Sequence, residues 1–229
     1  MIFLNSFEKS LKKLIWQESW LYKSYSLFRY DIPLFVSEKP DLVLLGAMSE
    51  RMQVKVMDRL WLYRDRIKEL IDQGAFFLIT GNAFDLFGEG IEKEDGSFLK
   101  GLGIYPFIAK ENLRSRHNSL VLGRFENFDI VGFKTQFTQL YPKTDLPYWL
   151  KMERGTGYQV GASYEGIHQK HFYGTNCVGP LLIMNPHFTL YLLNELGIEI
   201  SELPYMDAML DAYYKRLQEF RNPKIINHP

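Results

Sequence analysis

Apolar positions recur at steps of three and four between Met52 and Leu70. Met52, Val56, Leu60, Tyr63, Ile67 and Leu70 share one face, which predicts an amphipathic helix. Gly74 follows it, as a helix C-terminus wants. Two apolar runs flank this helix, DLVLLG from Asp41 and AFFLIT from Ala75, and both read as buried strands. The second breaks at Thr80-Gly81-Asn82 and passes into NAFDLFG, read as a short helix. The unit is therefore strand, helix, strand, helix, and its crossover implies parallel pairing in a sheet covered on both faces.

After Gly88 the pattern turns to glycine-punctuated segments, GLGIYPFIA, SLVLGRFEN, DIVGFKTQ and YEGIHQKHFYGTN. These read as strands with hairpin or irregular connections, so the second half of the sheet is expected to be mixed. Asn185-Pro186 supplies an N-cap and a first-turn proline for the helix HFTLYLLNEL, which Gly197 ends. A last helix over about 205–220 is expected to bury Met206, Leu210, Tyr213, Leu217 and Phe220. In the opening, 7–30 mixes Leu, Trp, Tyr and Lys at uneven helical spacing, and Ile32 to Val36 reads as a short strand. The Trp and Tyr residues of the first 30 positions either form a partner patch or cover a sheet edge.

Composition narrows the class. The 229 residues are 46% hydrophobic and 24% charged, which suits one globular domain over 1–229. Lys+Arg and Asp+Glu are both 27, and no basic run carries interleaved aromatics, so nucleic acid is not an expected partner. No apolar run approaches the roughly 20 residues that span a bilayer. The start, MIFLNSFEKSLKK, lacks the basic and apolar regions of a signal peptide. With Cys177 as the single cysteine there is no internal disulfide, and a cytoplasmic setting is expected.

Taken in order, several motifs resemble those of the class I glutamine amidotransferase domain of the cobyric acid synthase (CobB/CobQ) type. Within it they resemble the small amidotransferase subunits that work with a Mur-ligase-like partner on lipid II. The glycine-rich turn after the second strand is matched by DLVLLGAMSERMQ, and the nucleophile elbow by FFLITGNAFDLFG. Gly101-Leu102-Gly103, Val131-Gly132-Phe133 and Glu165-Gly166-Ile167-His168 match further elements, and GTNCVGPLL from Gly174 matches the closing motif. The likeness covers roughly 41–197 and leaves 1–40 divergent and 198–229 as a C-terminal helical segment. It implies a three-layer, flavodoxin-like α/β fold around a mixed, mostly parallel sheet. It also implies no cofactor and no metal, a ligase-type protein partner, and a pocket for a small amide or amino acid.

The departures fall on the chemistry. By position the family's cysteine corresponds to Thr80 and its histidine to Val178, and neither replacement can supply a thiolate–imidazole pair. The turn whose backbone N–H serves the oxyanion hole is Gly46-Ala47-Met48 here. The resemblance therefore implies a binding or regulatory subunit without glutaminase activity. The alternative is an amidase, hydrolase or amidotransferase subunit with altered chemistry in the same pocket. Gly46, Ala47, Thr80, Gly81, Asn82, Arg116, Asn118, His168, Asn176 and Cys177 are the pocket candidates. Arg116 either holds a ligand carboxylate or is a solvated loop charge. Alternation along a strand turns Cys177 away from position 178, so it is read as structural. His168 and His171 lack further metal ligands beside them, and Glu165 is read as shaping its hairpin.

Overall fold

The computed structural model describes residues 33–225, together with two short strands, β1 (Ile2–Leu4) and β2 (Lys23–Ser24). The aromatic residues of the first 30 positions lie outside the described side chains. Residues 34–37 form a helical turn, α1 (Leu34–Ser37), where a strand was expected. Strand β3 (Leu42–Leu45) leads to helix α2 (Glu50–Trp61), helix α3 (Arg64–Asp72) and strand β4 (Phe76–Thr80). The single helix expected over 52–70 is thus two. The break is fixed by tertiary contacts: Tyr63 packs edge-on against Phe35, and Arg64 Nε donates to the Leu102 carbonyl. Both pieces keep the predicted face inward, with Val56, Leu60, Ile67 and Leu70 buried. Gly74, at φ +75°, ends the pair.

Gly81–Phe87 is a 3-10 helix rather than an α-helix. The chain then builds β5 (Gly90–Glu92), β6 (Phe98–Lys100), β7 (Phe107–Glu111), β8 (His117–Phe125), β9 (Phe128–Gln136) and β10 (Thr138–Pro142). Strands β11 (Tyr148–Gly155), β12 (Tyr164–Gln169) and β13 (Phe172–Thr175) follow. Helices α4 (Leu181–Met184), α5 (Pro186–Glu195) and α6 (Met206–Arg221) complete the order.

The main sheet runs β2-β1-β3-β4-β13-β12-β11-β8-β9, and a smaller one runs β10-β7-β5-β6. The main sheet is mixed, as expected, but not mostly parallel. Parallel pairing there is confined to β3–β4 and β4–β13, and the other neighbours are antiparallel. The reason lies in the connections. Two α-helices link β3 to β4, whereas β8–β9 and β12–β13 are hairpins closed by two residues each. On one face of the main sheet Val43, Leu45, Phe77 and Ile79 pack with α2, α3 and the small sheet. On the other, Leu42, Phe76, Leu78 and Tyr173 meet Phe188 and Leu192 of α5, while Tyr213, Leu217 and Phe220 of α6 cover Leu122 and Val131. The result is an α/β fold in three layers. Within α6, Met209 rather than Met206 or Leu210 is buried.

Asn185 precedes α5 without capping it. Its side chain turns instead to the open edge of β9, where Oδ1 accepts from Val131 N–H and Nδ2 donates to the Val131 carbonyl, each at 2.8 Å. The carboxamide takes the place of a neighbouring strand and closes a sheet edge.

Candidate active site and the buried network beneath it

The strand β4 ends where the first α/β unit opens towards α2, so its last residues decide what faces the pocket. Thr80 is extended, at φ −126° and ψ 153°, and the residue in the left-handed region is Gly81, at φ +61°. Thr80 follows Phe76 and Leu78 in alternation, and those two side chains lie on the α5 side of the sheet. Its hydroxyl sits 3.8 Å from a Cβ built on Gly46. A Cβ built on Gly81 lies 2.5 Å from the Ala47 methyl and 3.4 Å from Val178 Cγ1. The residue of the elbow with positive φ is therefore one position beyond Thr80, and position 178 faces position 81.

Around this point lies a cavity of about 290 Å³, lined by residues that include Ala47, Met48, Glu50, Gln53, Asn82, Arg116, Gln136, Thr138 and Val178. Of the candidates, Ala47, Asn82 and Arg116 line it, and Gly81 lies against two of its walls. Asn82 Oδ1 accepts from Met48 N–H at 2.9 Å and its Nδ2 donates to the Met48 carbonyl at 2.7 Å. The carboxamide locks the 46–48 turn and occupies a backbone N–H that an oxyanion hole would need. Arg116 places its guanidinium 4.5 Å above the Phe137 ring, and among the described residues no carboxylate pairs with it. Aromatic support and lack of an acid partner leave this cation available to a ligand.

Other candidates lie elsewhere. Asn118 is exposed on β8 and does not line the cavity. His168 stacks on Tyr173 at 4.4 Å on the α5 side, and burial lowers its pKa. His171 stacks on Phe76 and bonds to the Gly74 carbonyl. Among the described residues no group of three His, Cys, Asp or Glu is placed to hold a metal ion. Cys177 is fully buried in the α5-side cluster, and desolvation pushes its thiol up to about 12. It is expected to resist iodoacetamide at neutral pH in the folded chain and to react once the chain is unfolded in denaturant. Rapid labelling of the native protein would contradict this placement.

Beneath the cavity runs a buried polar network of which the sequence indicated only Asn176 and Glu165. Asp85 Oδ2 accepts from Thr138 Oγ1 at 2.8 Å and from Gln53 Nε2 at 3.4 Å, and its Oδ1 accepts from Asn176 Nδ2 at 3.0 Å. The Asn176 N–H and the Thr175 hydroxyl both donate to Glu165 Oε1 at 2.9 Å. Lys134 Nζ bonds Glu165 Oε2 at 2.5 Å and the Gly157 carbonyl at 2.7 Å. The Lys134 and Glu165 side chains are 1% and 0% exposed, so this pair is fully buried. Desolvation raises Asp85 to about 6 against the lowering effect of its three donors and of Lys134. Glu165 thus does shape its hairpin, as the anchor that ties β12 to β9 and to the end of β13.

The chain is glutamine amidotransferase-like: an α/β fold whose candidate pocket stands at the turn after a buried parallel strand. It is a homologue, at modest identity, of subunit GatD of lipid II isoglutaminyl synthase (glutamine-hydrolyzing). It is 28% identical to that protein of Staphylococcus aureus (strain N315) over 171 residues, which cover 75% of this chain and 69% of the relative. The protein of the same name from Streptococcus pneumoniae (strain ATCC BAA-255 / R6) is 22% identical over 176 residues, covering 74% and 68%. No family model matches the chain. A solved structure described as a glutamine amidotransferase superposes with a TM-score of 0.45 at 12% identity, over 68% of this chain and 78% of that one. No helix among the described residues is long and apolar enough to cross a membrane.

Proposed function

We propose that this chain is a non-catalytic relative of glutamine amidotransferase subunits, of the CobB/CobQ type. It acts as a binding or regulatory subunit that retains the pocket and works with a ligase-type partner in the cytoplasm. The observation that carries the reading is the identity of the residue at the turn. A nucleophile at a strand-to-helix elbow sits on the strained residue, from which its side chain enters the pocket. Here that residue is Gly81, and the Ala47 methyl takes up the space its side chain would need. The group opposite is Val178, which neither accepts nor donates a proton. The Met48 N–H is already bonded to Asn82. Nucleophile, base and one oxyanion donor are thus replaced in a pocket that stays open.

A ligase-type partner is proposed because both relatives are named as subunits of a synthase that acts on lipid II. The purified chain is expected to release no ammonia from glutamine above the rate of buffer, alone or with added ligase subunit. Turnover at enzyme-like rates, abolished by Thr80→Val or by Asn82→Ala, would sink the proposal and favour altered chemistry in the same pocket.

A further inference from the structure

We propose that Asp85, which does not itself line the cavity, makes the inner wall of the pocket a wall of hydrogen-bond acceptors and so selects ligands that carry an N–H donor. This deepens the reading above and rests on its claim that the pocket still takes a small molecule.

Each polar side chain of this wall has a fixed number of protons to give. A threonine hydroxyl has one, and that of Thr138 is given to Asp85 Oδ2, so Thr138 offers only lone pairs to the cavity it lines. Gln53 gives its amide protons to the Asn82 carbonyl at 2.6 Å and to Asp85, which leaves Gln53 Oε1. Gln136 gives one of its two amide protons to the Thr138 carbonyl at 2.6 Å and keeps the other, and its Oε1 has no partner among the described residues although the residue is only 5% exposed. A buried acceptor without a donor costs free energy until something supplies one. Asn82 is fully occupied with Met48. The inner wall therefore offers acceptors on Thr138, Gln53 and Gln136 Oε1 against a single amide proton left on Gln136, while Arg116 donates from the mouth.

Asp85 holds this polarity only while ionised. Its Oδ1 faces the Asn176 amide at 3.0 Å, whereas Oδ2 has only the longer Gln53 amide bond, at 3.4 Å, beside the Thr138 hydroxyl at 2.8 Å, so a proton belongs on Oδ2, opposite that hydroxyl. That hydroxyl can turn from donor to acceptor by rotating one bond, and its own proton then points into the pocket. The charged side chains nearest Asp85 are Lys134 of β9 and Glu165 of β12, which are bonded to each other, so no cation touches the carboxylate. Gln53 of α2, Thr138 of β10 and Asn176 are neutral. The rise of this carboxyl to about 6 places the change within reach of ordinary buffers. Selection for N–H donors is present above that range and fades as pH falls through it.

The test uses NMR on the full chain. Without ligand, the Asp85 carboxyl carbon and the side-chain amides of Gln53 and Asn176 are expected to share one transition near pH 6, absent in Asp85→Asn. The probes are 3-aminopropane-1-sulfonate and propane-1,3-disulfonate, whose charges stay constant between about pH 5 and about pH 8 while Asp85 changes. At the upper pH the amino compound is expected to bind on the order of ten times more tightly, read from the Gln136 and Gln53 amide shifts, and at the lower pH about equally with the disulfonate. Thr138→Val, which leaves Asp85 in place, is expected to remove the pH dependence of this preference, and Thr138→Ser to keep it. Equal binding of both probes at every pH, or no shared transition, overturns the role of Asp85. If the transition is present but neither probe moves the pocket amides, the retained pocket itself is overturned, and ligand selection with it.

Discussion

Gly81→Cys is expected to destabilise the chain by about 2–6 kcal/mol, because a side chain in the left-handed region costs about 1–3 kcal/mol and overpacking against a filled neighbour adds about as much. The second part comes from the Ala47 methyl, 2.5 Å from the new Cβ. Ala47→Gly added to Gly81→Cys should therefore recover roughly 1–3 kcal/mol, read as midpoint shifts in urea unfolding. In that relieved background Val178→His places an imidazole where Val178 Cγ1 now stands, 3.4 Å from the built Cβ. The pair should depress the thiol pKa and raise its alkylation rate at neutral pH by about tenfold or more. Cys177, fully buried, serves as the silent thiol in the same protein. Thr80→Cys with Val178→His, the pair suggested by motif position, should show no such acceleration, since alternation sends side chain 80 to the α5 side. A faster reaction at position 80 than at position 81 would reverse the assignment of the elbow.

That one-residue difference marks how far the sequence carries. The pattern of apolar runs located β3, β4, the helices between them and the hairpins of the second half. The ITGN stretch located the turn. Which of its residues takes positive φ is a backbone property, and a glycine beside the strand end fits either as the strained residue or as a neighbour that permits close approach. The helix break at Leu62 and Tyr63 was not legible, because no Gly or Pro marks it and the contacts that set it come from Phe35 and Leu102. The buried network was hidden for a different reason. In VGFKTQ the apolar residues Val131 and Phe133 suggest one inward face, with Lys134 turned to solvent. In the folded chain Val131 is covered by α6, Phe133 is 38% exposed, and Ile130, Gly132, Lys134 and Gln136 form the other buried row. A strand covered on both faces does not reveal by alternation which face holds its charge.

Lys134→Met is expected to cost about 3–5 kcal/mol, the penalty for removing one partner of a buried ion pair. The ammonium is 1% exposed and its departure leaves Glu165, itself 0% exposed, with no counter-charge. Methionine fills most of the lost volume, so a cavity is not the main term. The Gly157 carbonyl also loses its donor. Two comparisons separate charge from packing. In Lys134→Met/Glu165→Gln the stranded charge is gone, and glutamine Oε1 can still accept from the Thr175 hydroxyl and the Asn176 N–H, which now bond Glu165 at 2.9 Å. This double variant should be more stable than the single one by about 1–3 kcal/mol, the cost of leaving a buried polar group or charge unsatisfied. The pH dependence gives the same answer with a defined sign. Removing Lys134 removes the one cation that lowers Asp85, so in the single variant the folded state gains further by taking a proton onto Asp85, and the deficit against the parent chain should be smaller in acid and grow as pH rises. Urea midpoints measured at acid and at mildly alkaline pH decide the matter. A deficit independent of pH, or a double variant no more stable than Lys134→Met, would mean that Lys134 contributes through packing and its bond to Gly157 rather than through charge.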